Sequence, residues 1–430
     1  MSPASQISSA SIPTPPSRPE RRSLSLAPCR SNANRLGRYR SGRQIAPSDL
    51  RDLASTGSIS PLCTDPVRRT TMPLSVVFAL IALLALDPDI AAAQPLRQAT
   101  FEVRNEIKIK VPEGAQRLRV WVALPQDNDP AQQVRDLKIE APYAYRTDRD
   151  SEGSRVLYLE ATDPKDKELT IVETFGLTRR EIRDQVDASK ARPLTDADRA
   201  RFAKYLEANK HVVIDNEIKK LTDEIVGSET NPVLAARKLY DWVLENVEYW
   251  VKDPKNKKAS PVGSTSYCLT FRTGNCTDFE SLWASLARAR GIPTQIVYGS
   301  FLKPDLRARD QDQSYHCWAE FYAPGLGWVH HDVAVADLYH GDFPVNADNE
   351  QLLRLTVADG VFGKDPAKVN YYFGNLDERR VVFSRNRDLM MSPRQDGEPV
   401  NALPKAYVEV DGKVHPEGTG WVRKLTYREP

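Results

Sequence analysis

Residues 274–299 read GNCTDFESLWASLARARGIPTQIVYG. Phe279, Leu282, Trp283, Leu286 and Ala287 fall at i, i+3, i+4, i+7 and i+8. That spacing predicts a helix with one buried face, starting at Cys276. Gly274-Asn275 before it reads as the entry loop, and Gly291 followed by Ile292-Pro293 reads as the stop. Alternation after residue 294 then predicts strands at 294–302, 315–322 and 328–333, with Lys303–Gln313 and Pro324–Gly327 as the loops between them. Helices precede this block. Ile218, Leu221 and Ile225 mark one. Asn231-Pro232 is an N-cap with proline at the first helical position of another. Residues 190–345 therefore read as a catalytic-sized domain of α then β, an α+β pattern.

Upstream, from about 98 to 176, the period is two. Ile107, Ile109 and Val111 share a strand face, as do Leu118, Val120, Val122 and Leu124. Several short strands with polar turns predict a small β-sandwich over 94–185. Downstream, Val381–Ser384 and Tyr407–Val410 look like strands, so 346–430 reads as a strand-rich C-terminal extension of the catalytic domain. No internal repeat is present.

The first 93 residues differ from the rest. Residues 1–71 hold 11 Arg, no Lys and 4 acidic residues, a net charge of +7, against +2 for the whole chain. Rich in Ser and Pro, they are expected to be disordered, or to be upstream sequence before a true start at Met72. Leu74–Leu86 is an apolar run too short to span a bilayer comfortably, since that takes ~20 residues. With Ala91-Ala92-Ala93 after it, residues 72–93 read as a signal peptide, which implies a secreted or periplasmic protein with no stable membrane span after cleavage. Export would leave three cysteines, Cys268, Cys276 and Cys317. A disulfide between Cys268 and Cys317 stays open, with Cys276 as the odd free thiol. The net charge of +2 gives no reason to expect nucleic acid.

Cys276, His316 and Asp332 carry the chemistry. A thiol is a poor nucleophile until it ionises, and a helix start and a nearby imidazolium both favour the thiolate. The Cys276 N–H is placed to help hold an oxyanion. His316 lies in Tyr315-His316-Cys317-Trp318-Ala319-Glu320 and shares a strand face with Trp318 and Glu320. Asp332 ends Gly327-Trp328-Val329-His330-His331-Asp332, and a hairpin there brings it beside His316 to orient the ring. An isolated buried cysteine is ordinarily a small hydrophobe, so the three motifs together carry the assignment, not Cys276 alone. His330, His331 and the cysteines fit no familiar zinc spacing, because adjacent strand residues face opposite ways.

These three blocks, 274–299, YHCWAEFY at 315–322 and GWVHHD at 327–332, resemble the transglutaminase-like superfamily of papain-type cysteine enzymes, in the form of its bacterial exported members. The resemblance implies a papain-like catalytic core, Cys276 as nucleophile, His316 as general base and acid, and Asp332 as orienting residue, with no cofactor. Relatives supply a second oxyanion donor from an upstream Trp or Gln. Here Trp250 and Tyr267 are the candidates, and Trp318 is a candidate for the substrate groove. His331 departs from the pattern, where an apolar or small residue is usual. The expected reaction is cleavage of a peptide or other amide bond through a thioester, on a peptide or protein substrate. Protein-glutamine transamidation and a non-catalytic scaffold using the same groove are the two rival readings. Oligomeric state is left open.

Overall fold

The structure is a computed structural model and describes residues 95–430. The segments read as disordered (1–71) and as a signal peptide (72–93) lie outside the described residues.

The alternation in the first third builds strands β1 (Gln98–Lys110), β2 (Arg117–Ala123), β3 (Gln132–Glu140), β4 (Tyr145–Arg149), β5 (Arg155–Thr162), β6 (Glu168–Arg180) and the short β7 (Ile182–Arg183). In β1, Val103, Ile107 and Ile109 are buried while Arg104 and Lys108 face solvent, the period-two pattern of a half-buried strand. The middle of the chain forms α1 (Asp196–Arg201), α2 (Asn216–Val226), α3 (Pro232–Asn246), β8 (Glu248–Tyr249), α4 (Thr265–Phe271), β9 (Thr273–Gly274) and α5 (Cys276–Ala289). It continues through β10 (Thr294–Phe301), β11 (Tyr315–Ala323), β12 (Gly327–His331) and α6 (Val333–Asp337). The last third gives α7 (Glu350–Thr356), α8 (Pro366–Tyr371), β13 (Asn375–Leu376), β14 (Arg380–Arg385), β15 (Ala406–Val410), β16 (Lys413–Val414) and β17 (Trp421–Arg428).

Two antiparallel sheets face each other as a sandwich, in the orders β17-β1-β6-β3 and β16-β15-β2-β5-β4. Ile107, Leu118, Val120, Leu159, Ile171 and Trp421 fill the space between them. A third antiparallel sheet, β12-β11-β10-β14, backs onto α5 and makes the catalytic half an α+β unit. An α+β core with a strand-rich sandwich before it, the fold class expected from the sequence, is what the structure contains. Treating 346–430 as a single extension needs correcting. Its helices and β14 complete the catalytic half, whereas β15, β16 and β17 return to the sandwich and pair with β2 and β1. The physical reason is edge pairing. β1 and β2 would otherwise each leave a row of unpaired amides and carbonyls, and only the last strands of the chain are free to cover them. Phe101, Trp121, Phe175, Phe383, Leu403 and Tyr427 then form one buried cluster that ties sandwich to catalytic sheet.

Helix α5 also differs from the one-faced helix expected. Every residue from Cys276 to Arg288 is buried. Partners satisfy the hydroxyls and the arginine on its polar side, whereas the Trp283 indole N–H has none. Thr265 Oγ1 lies 2.7 Å from Ser285 Oγ, Arg387 donates to Ser281 Oγ at 2.6 Å, and Arg288 donates to Thr294 O at 2.8 Å. Such a helix is a rigid mount for the residue at its first position.

Candidate active site

Asn275 caps α5. Its side-chain oxygen accepts from the amides of Thr277 (2.9 Å) and Asp278 (3.2 Å), while Asp278 accepts from the Asn275 amide (3.0 Å). This reciprocal cap contributes ~1 kcal/mol and fixes where the helix begins. Asp278 also accepts from the amides of Ser260 (3.0 Å) and Ser264 (2.7 Å), so it anchors the loop that feeds the site. Gly274 has to be glycine here, because a Cβ would sit 2.3 Å from the Asp278 Cβ.

Cys276 is thereby held at the first turn, 3% exposed. Its thiol lies well below the ordinary value. The largest cause is a hydrogen bond from Cys317. Burial opposes it, and the hydrogen bond and charge of His316 add to the lowering. Cys276 is poised as a thiolate.

His316 stands on β11 opposite Gly299 of β10. Its Nε2 is 2.7 Å from Asp332 Oδ2, which leaves the other ring nitrogen for the Cys276 sulfur. Phe301 stacks on the ring at 4.4 Å. Burial pulls the imidazole pKa down, but the charge and hydrogen bond of Asp332 outweigh it and bring it up to about 8. At neutral pH the pair is therefore a thiolate and an imidazolium.

Asp332 stands at the turn just after β12, where it also caps α6 through the Val335 amide (2.9 Å). Burial would raise its pKa. The positive charges of His316 and Arg380 reverse that, so it stays ionised. Arg380 escaped the sequence reading. Fully buried at the start of β14, it donates to Asp332 Oδ2 at 2.6 Å and, through Nε and Nη2, to Asp377 Oδ2 at 2.9 and 2.8 Å. β14 approaches β10 through a bulge at Gly299, where a Cβ would meet the Val381 carbonyl at 1.9 Å. Nothing in local spacing links residue 380 to residue 332, so only the assembled sheet reveals this cation.

The structure thus brings Cys276, His316 and Asp332 together. Trp250 lines the same cleft. Tyr267 does not reach it, which corrects its candidacy. Its hydroxyl donates to Lys258 O at 3.1 Å and its ring packs on Phe271, because α4 turns that face outward. Trp318 is corrected as well. It is 1% exposed in a small core with Val297 and Val382, under the Arg380 guanidinium at 5.0 Å, and supports the sheet instead of meeting substrate. The Cys276 N–H is not free to meet an oxyanion in this state, since it donates to the Tyr249 hydroxyl at 3.0 Å. Tyr249, at the end of β8, was missed. Its neighbour Trp250 drew the attention, and a buried tyrosine on a two-residue strand leaves no periodic signal. Cys317, to which the sequence reading gave no part in the chemistry, is hydrogen-bonded to the nucleophile. Cys268, Cys276 and Cys317 are all free thiols, so the disulfide left open above is not formed. Among the described residues, no group of three or more His, Cys, Asp or Glu side chains is placed to hold a metal ion.

Residues 219–333 match the family model of the transglutaminase-like superfamily, a span that includes all three site residues. This region is a transglutaminase-like domain. An uncharacterized protein of Haemophilus influenzae is 28% identical over 338 residues, 73% of this chain and 86% of that protein. Among solved structures, a candidate cysteine protease from Cytophaga hutchinsonii is 17% identical with a TM-score of 0.44, covering 78% of this chain and all of its own. The periplasmic domain of TgpA from Pseudomonas aeruginosa is 15% identical with a TM-score of 0.28, covering 54% of this chain and 87% of its own. The transglutaminase-like superfamily is one of cysteine-dependent enzymes, and the site described above has the residues such chemistry needs.

Proposed function

We propose that the protein is an exported cysteine acyl-transfer enzyme that hydrolyses peptide or other amide bonds through a thioester. The observation that carries this reading is the Cys276 thiol, depressed in pKa, hydrogen-bonded to an imidazole that Asp332 holds at 2.7 Å. The thiolate adds to the amide carbonyl. The imidazolium of His316 protonates the departing amine, and the acyl group stays on sulfur. His316, now neutral, takes a proton from water, which attacks the thioester and frees the acid. Asp332 keeps the ring oriented and stabilises its charged form throughout. Export rests on the apolar run Leu74–Leu86 with Ala91–Ala93 after it. Among the described residues no helix is long and apolar enough to cross a membrane.

The test is turnover of an internally quenched peptide library by the purified protein, with and without a primary amine acceptor, beside Cys276→Ala. Cleavage that needs Cys276 and yields free acids in the presence of amine supports hydrolysis. Amine incorporation in place of acid would assign transamidation. Equal turnover by Cys276→Ala would remove the nucleophile. N-terminal sequencing of the exported protein tests the leader, with a mature start near Gln94 expected.

A further inference from the structure

The cleft above Cys276 is small, and one wall of it comes from a helix far along the chain. It encloses about 250 Å³. Pockets that take whole drug-sized ligands hold ~300–1,000 Å³, so this one has room for a single side chain or short acyl group beside the sulfur. Trp250, Val251 and Phe301 give it apolar lining, and Leu352 and Leu355 of α7 add to it. Asn275, Gln313 and Thr356 add polar groups without charge. Apart from the Cys276–His316 pair, whose two charges offset one another, no lining residue carries a carboxylate, an ammonium or a guanidinium, and the Tyr249 and Tyr315 phenols are neutral.

The α7 wall is fixed in place. Leu352 and Leu355, three residues apart, share the face toward the cleft, while Leu353 is fully buried beneath. Asn349, at the start of α7, donates to Lys252 O and Pro344 O, both at 2.8 Å. At the other end the Lys303 ammonium donates to Arg354 O at 3.1 Å. The wall therefore has a defined shape, and its leucines meet whatever acyl group reaches the sulfur.

We infer that Leu352 and Leu355 are specificity-determining residues, and that the part of the acyl group seated in this cleft is uncharged, largely hydrocarbon and no bigger than one side chain, so that acyl groups placing a carboxylate or an ammonium there are rejected. The reason is desolvation. A charge entering this cleft loses water and finds no lining partner of opposite sign. This rests on the reading of Cys276 as nucleophile, and the experiment separates the two.

The probes are p-nitrophenyl esters of butanoate, of succinate with its second carboxylate free, and of 4-(trimethylammonio)butanoate. The Cys276 thiolate adds to the ester carbonyl, the C–S bond forms, and the C–O bond breaks with its electron pair leaving as p-nitrophenolate. Water then hydrolyses the thioester to the free acid and the thiol. The burst of p-nitrophenolate reads acylation directly. Butanoate is expected to acylate about 100-fold faster than either charged ester, a ratio set by the cost of stripping water from an unpaired charge. Leu352→Lys is expected to shrink the gap between butanoate and succinate to about tenfold, by supplying the missing partner. A Cys276-dependent burst of equal rate for all three esters overturns the inference and leaves the nucleophile standing. So does a Leu352→Lys variant that folds and bursts with butanoate yet keeps the full gap. If no ester gives a burst that Cys276→Ala removes, the nucleophile reading falls and the inference with it. Should Leu352→Lys fail to fold, the three-ester ratio in the parent protein still decides.

Discussion

Two buried histidine–acid pairs occupy neighbouring positions in this molecule, and they behave in opposite ways. In the first, His316 and Asp332 meet at 2.7 Å, Arg380 supplies a second positive charge, and the histidine pKa is brought up to about 8. In the second, on the far side of β12, His331 Nδ1 and Glu280 Oε2 lie 3.9 Å apart, both residues fully buried. Neither ring nitrogen of His331 has a hydrogen-bond partner, and no side chain comes within hydrogen-bond distance of the Glu280 carboxyl. Burial there wins outright. It pushes His331 down to about 3, with Asp332 opposing, and pushes Glu280 well above the usual carboxylate range. Burial alone neutralises an ionisable pair, whereas burial with a network of counter-charges preserves it. His330 makes the same point from the next position. Burial works against its charge, yet Glu320 and Asp184 on either side bring it up to about 10.

The largest effect expected is loss of the nucleophile. Cys276→Ala lowers acylation by at least ~1,000-fold, because no other group in the cleft is both nucleophilic and ionised. The burst assay reads this, and a modest loss would mean that the charged pair is structural, like its neighbour. Asp332→Asn comes next, with a fall of ~100- to 10,000-fold, the range over which an orienting carboxylate acts. It also has a pH signature. His316 is raised above its ordinary 6.5 to about 8, so the ion pair, and the stability it adds, is fully present below about 6.5 and lost as pH rises through about 8. The change in iodoacetamide labelling rate that marks loss of the imidazolium proton, the basic limb at Cys276, should therefore sit near pH 8 in the parent. Without the carboxylate charge it should move to lower pH. A basic limb that stays near 8 in Asp332→Asn would show that Asp332 does not set the histidine charge.

Tyr249→Phe sharpens the comparison on the nucleophile side. The Tyr249 hydroxyl accepts the Cys276 amide at 3.0 Å and its own proton can point to the sulfur. A hydrogen bond to a charged group adds ~1.5–3 kcal/mol, so acylation should slow ~10- to 100-fold with the fold intact. Unchanged kinetics with native thermal stability would leave Tyr249 as packing alone.

How much of this was legible beforehand follows from the range of the forces involved. Helix α5 and strands β10–β12 came from local periodicity, which acts over a few residues, and Cys276, His316 and Asp332 came from the three short motifs those elements carry. Arg380, Tyr249 and the α7 wall did not. Arg380 reaches Asp332 only because β14 crosses to β10 at Gly299, a pairing some 80 residues apart in sequence. The fate of β15–β17 was hidden for the same reason. The pattern at Tyr407–Val410 identified β15, whereas β16 and β17 were not read, and edge pairing with β1 and β2 is settled by which strands are left uncovered once the rest has folded. His331 lay between these cases. Its departure from the family pattern was visible in sequence, but what it perturbs was not, since Glu280 lies on another element.

Glu280→Gln is the smallest change to activity and the cleanest probe of the second pair. Burial keeps Glu280 protonated in the folded chain, with the nearby charges of Asp332 and Cys276 reinforcing this and the amides of Val333 and Ala334 opposing it in part. In the unfolded chain the same group loses its proton above about 4.5. The folded state then binds the extra proton, so stability falls as pH rises beyond that value. Glutamine has nearly the same shape and no proton to lose. Thermal unfolding of Glu280→Gln should therefore show a gain over the parent that is small near pH 4.5 and grows toward pH 8, while the acylation burst persists. A loss of stability that is greatest at high pH would mean that Glu280 is ionised in the folded state. The His331 pair would then be charged as the His316 pair is, and the contrast between the two would collapse.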